Sequence, residues 1–278
     1  MELGRFSIES LSEGQFLIHV DGSIEKPVWS TTMPAEPPEP TGELVGIDPM
    51  LVLTGRHVVL LDAGIGLGLD AGSPAPGVSN LKTNLEIFGV NPEDVTHVVL
   101  SHLHYDHAAG LSYTDMASRT VSTLPNARIV VQQAEWDFAV AQLESPSSQL
   151  DTGYQLDDLL RLKASGQLHC IRQDSLELVA GITLIRTGGH TPGHQIVRLA
   201  DSGQSAYFLG DLIPTEDTVH SRVRRGADID PEHAARMRLH MLRQIYRERA
   251  YILFYHSLFS RMVRIIRHPM GSFGLKEE

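Results

Sequence analysis

With 278 residues, 42% of them hydrophobic, the chain is long enough for one layered α/β unit and too apolar to stay disordered. A formal charge of −11 with the histidines neutral repels phosphate backbones and disfavours nucleic acid, and the basic stretch Arg222-Val223-Arg224-Arg225 is too short to reverse that. The single cysteine, Cys170, excludes an internal disulfide and a cysteine-based zinc site, and no apolar run reaches the roughly 20 residues that cross a bilayer.

Met1-Glu2-Leu3-Gly4 opens no basic-then-apolar leader, so the expected compartment is the cytoplasm. Phe16–Val20 has strand length and ends in the turn pair Asp21-Gly22. Residues 27–42 carry Pro27, Pro34, Pro37, Pro38 and Pro40 and read as an extended connector. With Trp29 and Met33 it is also a candidate apolar wall for a ligand. Met50–Leu53 and Val58–Leu61 form a hairpin around Gly55-Arg56, and the second strand runs into Asp62-Ala63-Gly64-Ile65-Gly66, a sharp turn. Asn80 caps a helix over Leu81–Phe88, which places Leu81, Leu85 and Phe88 on one side and ends at Gly89.

Val95–Leu100 is the next strand, and SHLHYDH sits at its exit. Arg128–Val131 follows, then a helix over Gln133–Leu143 with Trp136, Val140 and Leu143 as its packing face. The polar segment Ser145-Pro146-Ser147-Ser148 separates this helix from strands Ile182–Arg186, Gln195–Leu199 and Ala206–Leu209. Pro231 opens a long helix to Glu248, and Tyr251–Tyr255 is the last strand, ending at His256. Strands, helices, strands, a helix and a strand, in that order, point to two sheets packed face to face with helices outside.

Of fourteen histidines, His19, His57, His97, His169, His233, His240 and His268 are scattered and read as surface or structural residues. The others gather at strand exits. His102 and His104 alternate, so on extended backbone both imidazoles face one point. If the chain curls at Tyr105, Asp106 and His107 face a second point beside it. Three imidazoles and one carboxylate within six residues are ligands for zinc and similar borderline cations. Burying them without a metal would demand many hydrogen-bond partners. The same pattern recurs singly. Gly188-Gly189-His190-Thr191-Pro192-Gly193-His194, Gly210-Asp211 and His256 each follow an apolar strand.

The series H-x-H-x-D-H, G-H-T-P-G-H, G-D and a late histidine resembles the metallo-β-lactamase superfamily over about residues 40–260. The resemblance implies an α/β fold, a four-layer αββα sandwich, here as a single domain over 1–278. It implies that His102, His104 and His190 hold a first ion, that Asp106, His107 and His256 hold a second, and that Asp211 bridges the two. His194 matches a position that supports a ligand from behind or packs. The implied cofactors are two divalent ions, zinc first, with manganese, iron or cobalt compatible. Such ions, about 3.5–4 Å apart, share a hydroxide that attacks a carbonyl carbon or phosphorus, and Asp106 relays a proton as the catalytic acid–base.

Within that family the chain is similar to small stand-alone hydrolases: N-acyl homoserine lactonases and methyl parathion hydrolase-like enzymes. Asp211 stands where class B β-lactamases commonly carry cysteine, and 22 residues after His256 leave no room for a glyoxalase II-like helical domain. One departure is Pro214, where the lactonases often place tyrosine. Glu216, Asp217 and His220 follow Asp211 closely, and His220 is a candidate substrate contact. The implied partner is a small-molecule ester, lactone or phosphotriester, with no nucleic acid and no membrane. A homodimer is compatible, though no stretch identifies an interface. Two other classes remain open: a mononuclear iron oxygenase like the persulfide dioxygenases, and a non-catalytic metal-binding module. Cys170 lies outside every motif and reads as inert.

Overall fold

Arg128–Gln132, with sequence RIVVQ, shows how this chain builds layers. Its apolar residues are consecutive, which marks a strand covered on both faces. Val130 points into one buried cluster while Ile129 and Val131 point into another. Met50 and Val52 against Leu51, Val59 and Leu61 against Leu60, and Val99 against Val98 divide in the same way.

A computed structural model describes residues 1–19, 24–25, 42–70, 80–144, 154, 156–219 and 224–276. Most of the proline-rich segment, Ser145–Ser148 and His220 lie outside the described residues. One seven-stranded sheet runs in the order Glu2–Leu3, Phe6–Ser10, Met50–Leu53, Val58–Leu61, His97–Val99, Arg128–Gln132, Leu168–Ile171. The other runs Ser175–Val179, Ile182–Arg186, Gln195–Asp201, Gln204–Phe208, Tyr251–Leu253, Met262–Arg267, Phe273–Leu275. Between them lies a core with Phe6, Ile8, Leu184, Val197, Phe208 and Leu253.

Helices Leu81–Ile87, Gln133–Glu144 and Leu156–Ala164 cover the outer face of the first sheet through Leu81, Leu85, Ala139, Leu159 and Leu162. Helix Pro231–Glu248 covers the second through Met241, Leu242 and Ile245, which pack on Ile196, Tyr207 and Ile252. The result is the expected αββα sandwich.

Two helix faces differ from the sequence reading. Phe88 is 40% exposed as the helix cap, and Asn84 is buried with Leu81 and Leu85, its amide donating to the Leu11 and Ser12 carbonyls. On helix Gln133–Glu144 the fully buried positions among the side chains described are Glu135 and Ala139, Trp136 is only partly covered, and the side chain of Leu143 lies outside the description. A carboxylate holds the inward position because its hydrogen bonds are met there, as shown below.

Strand direction gathers the strand exits. Val58–Leu61, His97–Val99 and Arg128–Gln132 are mutually parallel, so Asp62 and Ser101–His107 leave the same edge. In the second sheet Gln204–Phe208 is parallel to Tyr251–Leu253, and Ile182–Arg186 shares their direction because Gln195–Asp201 is antiparallel to both its neighbours. His190, Asp211 and His256 therefore emerge together. Gln195 ties the two edges by donating to the Leu100 carbonyl at 2.7 Å and accepting from the Gln132 amide at 2.9 Å.

Candidate metal centre

His104 is extended, at φ −61° and ψ 152°, and the short helix Tyr105–Ala108 begins directly after it. The expected curl at Tyr105 is thus a helical turn, closed by the His107 N–H donating to the His104 carbonyl at 3.1 Å. Before the turn His102 and His104 share one side. After it Asp106 and His107 face a neighbouring point. Asp211 follows Gly210, whose φ of +46° and close approach to Ser101 and His194 leave no room for a Cβ.

The structure brings together all seven residues of the H-x-H-x-D-H, G-H-T-P-G-H, G-D and late-histidine series. His102 Nε2 lies 2.9 Å and His190 Nε2 3.2 Å from His104 Nδ1. His256 Nε2 lies 3.3 Å from His107 Nε2 and 3.3 Å from Asp106 Oδ2. Asp211 stands between the groups: Oδ1 is 3.3 Å from His107 Nε2 and 3.2 Å from His256 Nε2, and Oδ2 is 3.5 Å from His190 Nε2. Each of the sets His102–His104–His190, His102–His107–Asp211 and Asp106–His107–His256 keeps its donor atoms within 4.8 Å, the spacing of groups that could hold one ion.

Two observations fit a cation. Asp211 Oδ1 is buried with no hydrogen-bond partner among the described residues, which is costly for a carboxylate oxygen. Imidazole nitrogens also crowd imidazole nitrogens, as lone pairs do when they converge on a common acceptor.

Four of the outward nitrogens are tethered. His102 Nδ1 meets Ser101 Oγ at 3.0 Å, and that hydroxyl donates to Asp62 Oδ2 at 2.7 Å. His107 Nδ1 bonds the same oxygen at 2.7 Å, His190 Nδ1 bonds Asp228 Oδ1 at 3.1 Å, and His256 Nδ1 bonds the Gly46 carbonyl at 2.9 Å. Such partners set tautomer and ring orientation. His194 is fully buried but belongs to none of the donor sets. Its Nε2 accepts the Asp211 backbone N–H at 3.1 Å, so Nδ1 carries the proton toward Thr187 Oγ1 at 2.7 Å. It supports Asp211 from behind.

Electrostatics split the site. Burial, then neighbouring imidazoles, hold His102 well below the usual range and push His104 down to about 3. Burial acts the same way on His107 and His256, but the carboxylates of Asp106, Asp62 and Asp211 override it, raising His107 and pushing His256 up to about 9. Burial is likewise overridden at Asp106 and Asp211, which the facing imidazoles hold below the carboxylate range.

Several roles here escape sequence reading. Glu135 is fully buried and accepts from the Leu103 N–H at 3.1 Å, Thr191 Oγ1 at 2.6 Å, the Gly193 N–H at 3.2 Å and Tyr154 Oη at 3.0 Å. It joins the loop of His102 and His104 to the loop of His190. Gly193 is required because a Cβ there would sit 2.1 Å from the Glu135 nitrogen. Asp62, at φ 56°, sits in the turn where only the glycines drew notice. Its signal was a carboxylate at the end of an apolar strand. Glu216 accepts from Ser257 Oγ and from the Ser260 N–H, clamping the segment after Asp211 to the segment after His256. Asp228 and Arg225 carried no local signal. Arg225 Nη1 donates to the Asp211 carbonyl at 2.8 Å. His220, the candidate substrate contact, lies outside the described residues.

A sequence model described as the metallo-beta-lactamase superfamily matches residues 43–256, from strand Gly42–Ile47, which supplies Gly46, to the last candidate ligand. The chain belongs to the metallo-beta-lactamase superfamily. Over 175 residues it is 26% identical to an N-acyl homoserine lactonase of Bacillus thuringiensis, covering 63% of this chain and 60% of that one, so the chain spans less than two thirds of this relative's length. A probable metal-dependent hydrolase from Staphylococcus aureus superposes with a TM-score of 0.74 at 27% identity over 100% of this chain and 99% of the other. A dizinc quorum-quenching lactonase, AidC, solved with the product N-hexanoyl-L-homoserine, superposes at 0.74 and 19% identity over 100% and 96%, a likeness of fold. Among the described residues no helix is long and apolar enough to cross a membrane.

Proposed function

We propose that this protein is a dinuclear metal-dependent hydrolase of lactones or related esters. The reading rests on one observation above the others: the two oxygens of Asp211 face different groups, Oδ1 toward His107 and His256 and Oδ2 toward His190. A carboxylate so placed suits a bridge. His102, His104 and His190 would hold one ion, and Asp106, His107 and His256 the other. When bound, two such ions supply an activated water and polarise the oxygen of the electrophile. Zinc is the first choice, supported by the donor set and by the dizinc state of AidC; manganese, iron and cobalt suit the same donors.

The chain's own residues do the rest. Asp106 keeps its carboxylate partly open to solvent and within 3.6 Å of His107 and 3.3 Å of His256, so it can accept a proton and pass it to a leaving oxygen. Tyr255 holds the backbone there by donating to the Asp106 carbonyl at 2.6 Å. Asp62, Asp228 and Gly46 hold the imidazoles in register. Pro214 is buried and offers no side-chain donor where lactonases often place tyrosine; its carbonyl accepts the His256 N–H at 3.1 Å. N-acyl homoserine lactones are therefore one arm of the substrate proposal, supported by the curated relatives, and phosphotriesters are another. His220 remains the proposed substrate contact, and the proposed unit is a single domain over 1–278 that acts on a small molecule.

The mononuclear oxygenase reading is disfavoured by the complete trio of Asp106, His107 and His256 beside the Asp211 oxygen. The test is a hydrolysis screen of the metal-loaded protein on acyl homoserine lactones, aryl esters and a phosphotriester, with Asp211→Ala as control and metal content measured alongside. Turnover with two ions per chain, abolished in the control, is the expected result. One iron with oxygen-dependent turnover would replace the proposal by the oxygenase, and full occupancy without turnover would replace it by a binding module.

A further inference from the structure

Away from the metal centre the acidic chain carries a basic cleft. On helix Pro231–Glu248 the exposed residues Arg236, His240, Arg243 and Arg247 fall on one stripe. The acids of that helix are engaged elsewhere: Glu232 pairs with Arg224, and Glu248 accepts from Arg198, Ser205, Tyr207 and Gln244. Beside the stripe lies a cleft of about 310 Å³ lined by Arg243, Tyr246, Arg247, Arg267 and Phe273. Arg267 ends strand Met262–Arg267, and Phe273 opens the final strand, so two elements bring arginines to the lining of one concavity. None of the three arginines enters an ion pair among the described residues.

Like charges at i and i+4, as at Arg243 and Arg247, are mildly destabilising on a helix. Gathering a third beside them adds repulsion that the C-terminal end of the helix dipole offsets only in part, and no carboxylate among the described residues pairs with any of the three. An anion seated among them would offset it. The cleft also has an aromatic side. Phe273 is only 2% exposed, and Tyr246 stands over it at 6.0 Å between centroids, 60° between planes, with 41% of its own surface free. A free aromatic face beside guanidinium groups suits a planar ring that carries a phosphate. The volume admits a small molecule and the lining supplies two kinds of contact.

We propose that this cleft binds a nucleoside monophosphate or an equivalent phosphate-bearing aromatic, with the phosphate on Arg243, Arg247 and Arg267 and the ring against Tyr246. The site is separate from the metal centre. Arg247 lies nine residues beyond Arg238, the buried arginine that reaches Asp228 at 3.4 Å behind His190, or about 13 Å along the helix at ~1.5 Å per residue.

Titration calorimetry of the metal-loaded full chain with AMP tests this, with adenosine, inorganic phosphate and a short single-stranded oligonucleotide as the other probes. We expect saturable AMP binding, weakened about 10-fold or more by Arg243→Gln and by Arg267→Gln. Tyr246→Ala should reduce AMP to the affinity of inorganic phosphate, and adenosine alone should not bind. Hydrolytic activity should be unchanged in all three variants, whose side chains are exposed. No AMP binding at about 1 mM would overturn the proposal. So would undiminished binding in both arginine variants, which would put the nucleotide at the metal centre, or phosphate binding as tightly as AMP. An oligonucleotide more than about 10-fold tighter than AMP would make the partner a nucleic acid instead.

Discussion

The two halves of the candidate metal centre use different chemistry. The half built from His102, His104 and His190 presents nitrogen donors only, and burial keeps His102 and His104 neutral. The half built from Asp106, His107 and His256 sets a carboxylate beside imidazoles that Asp106, Asp62 and Asp211 drive toward the protonated form. One half is a set of lone pairs ready for a cation. In the other, the carboxylates favour protons on the imidazoles that a cation would have to displace. Burial acts alike on both, so the difference comes from where the carboxylates stand.

Asp211 belongs to both halves, so its loss should be the largest effect. Replacement by alanine should lower metal content below two ions per chain and cut hydrolysis by more than about 100-fold, beyond the loss from a mere supporting partner. Retention of two tightly held ions, read by elemental analysis, would remove the bridge from the argument.

Replacing the partners behind the ligands should separate the halves. Asp228→Asn should weaken the ion held with His190, and Asp62→Asn the ion held with His107, each by about 10- to 100-fold in affinity. Because Asp62 also reaches His102 through Ser101, its variant should disturb the first half slightly as well. Stepwise chelator competition reads both constants, and identical patterns for the two variants would break the comparison.

Acidity should separate them again. His256 is pushed up to about 9, so its proton is present below that pH and opposes the ion. Apparent affinity of the second half should fall as pH drops from about 9 to about 7, by up to about tenfold per unit for each proton displaced. The first half, with His104 pushed down to about 3, should change little across that window. Equal slopes in the same chelator assay would sink the assignment of charge.

The smallest effect belongs to Tyr255→Phe, which removes one hydrogen bond to the Asp106 carbonyl and should cost about 1 kcal/mol in denaturant unfolding with the metal content intact. Loss of the ion near Asp106 instead would mean that the hydroxyl aims that carboxylate.

Much of this was legible before folding. SHLHYDH, GGHTPGH, GD and His256 announce donors because each stands just past an apolar strand. The covered strands Met50–Leu53, Val58–Leu61 and Arg128–Gln132 betray themselves by unbroken apolar runs. Phe6–Ser10, Ser175–Val179 and Met262–Arg267 do not, since polar residues interrupt them and antiparallel neighbours supply their pairing. Helix Leu156–Ala164 is likewise not evident from its sequence, LDDLLRLKA, in which charged residues interrupt the leucines that include the buried Leu159 and Leu162. Glu135 looked like one acid on a helical surface. Only its meeting with Leu103, Thr191 and Gly193 explains why it is buried.

The sequence by itself determined which groups could ligate, since donor type and position at a strand exit are properties of short segments. It also determined the layered class, since apolar runs report burial on two faces. The tertiary structure alone decided that Asp211 divides its oxygens between two sets of imidazoles, and that Asp62, Asp228 and Glu135 brace them. Those contacts join residues tens to more than a hundred positions apart, and their geometry exists only once parallel strands deliver their ends to a common edge.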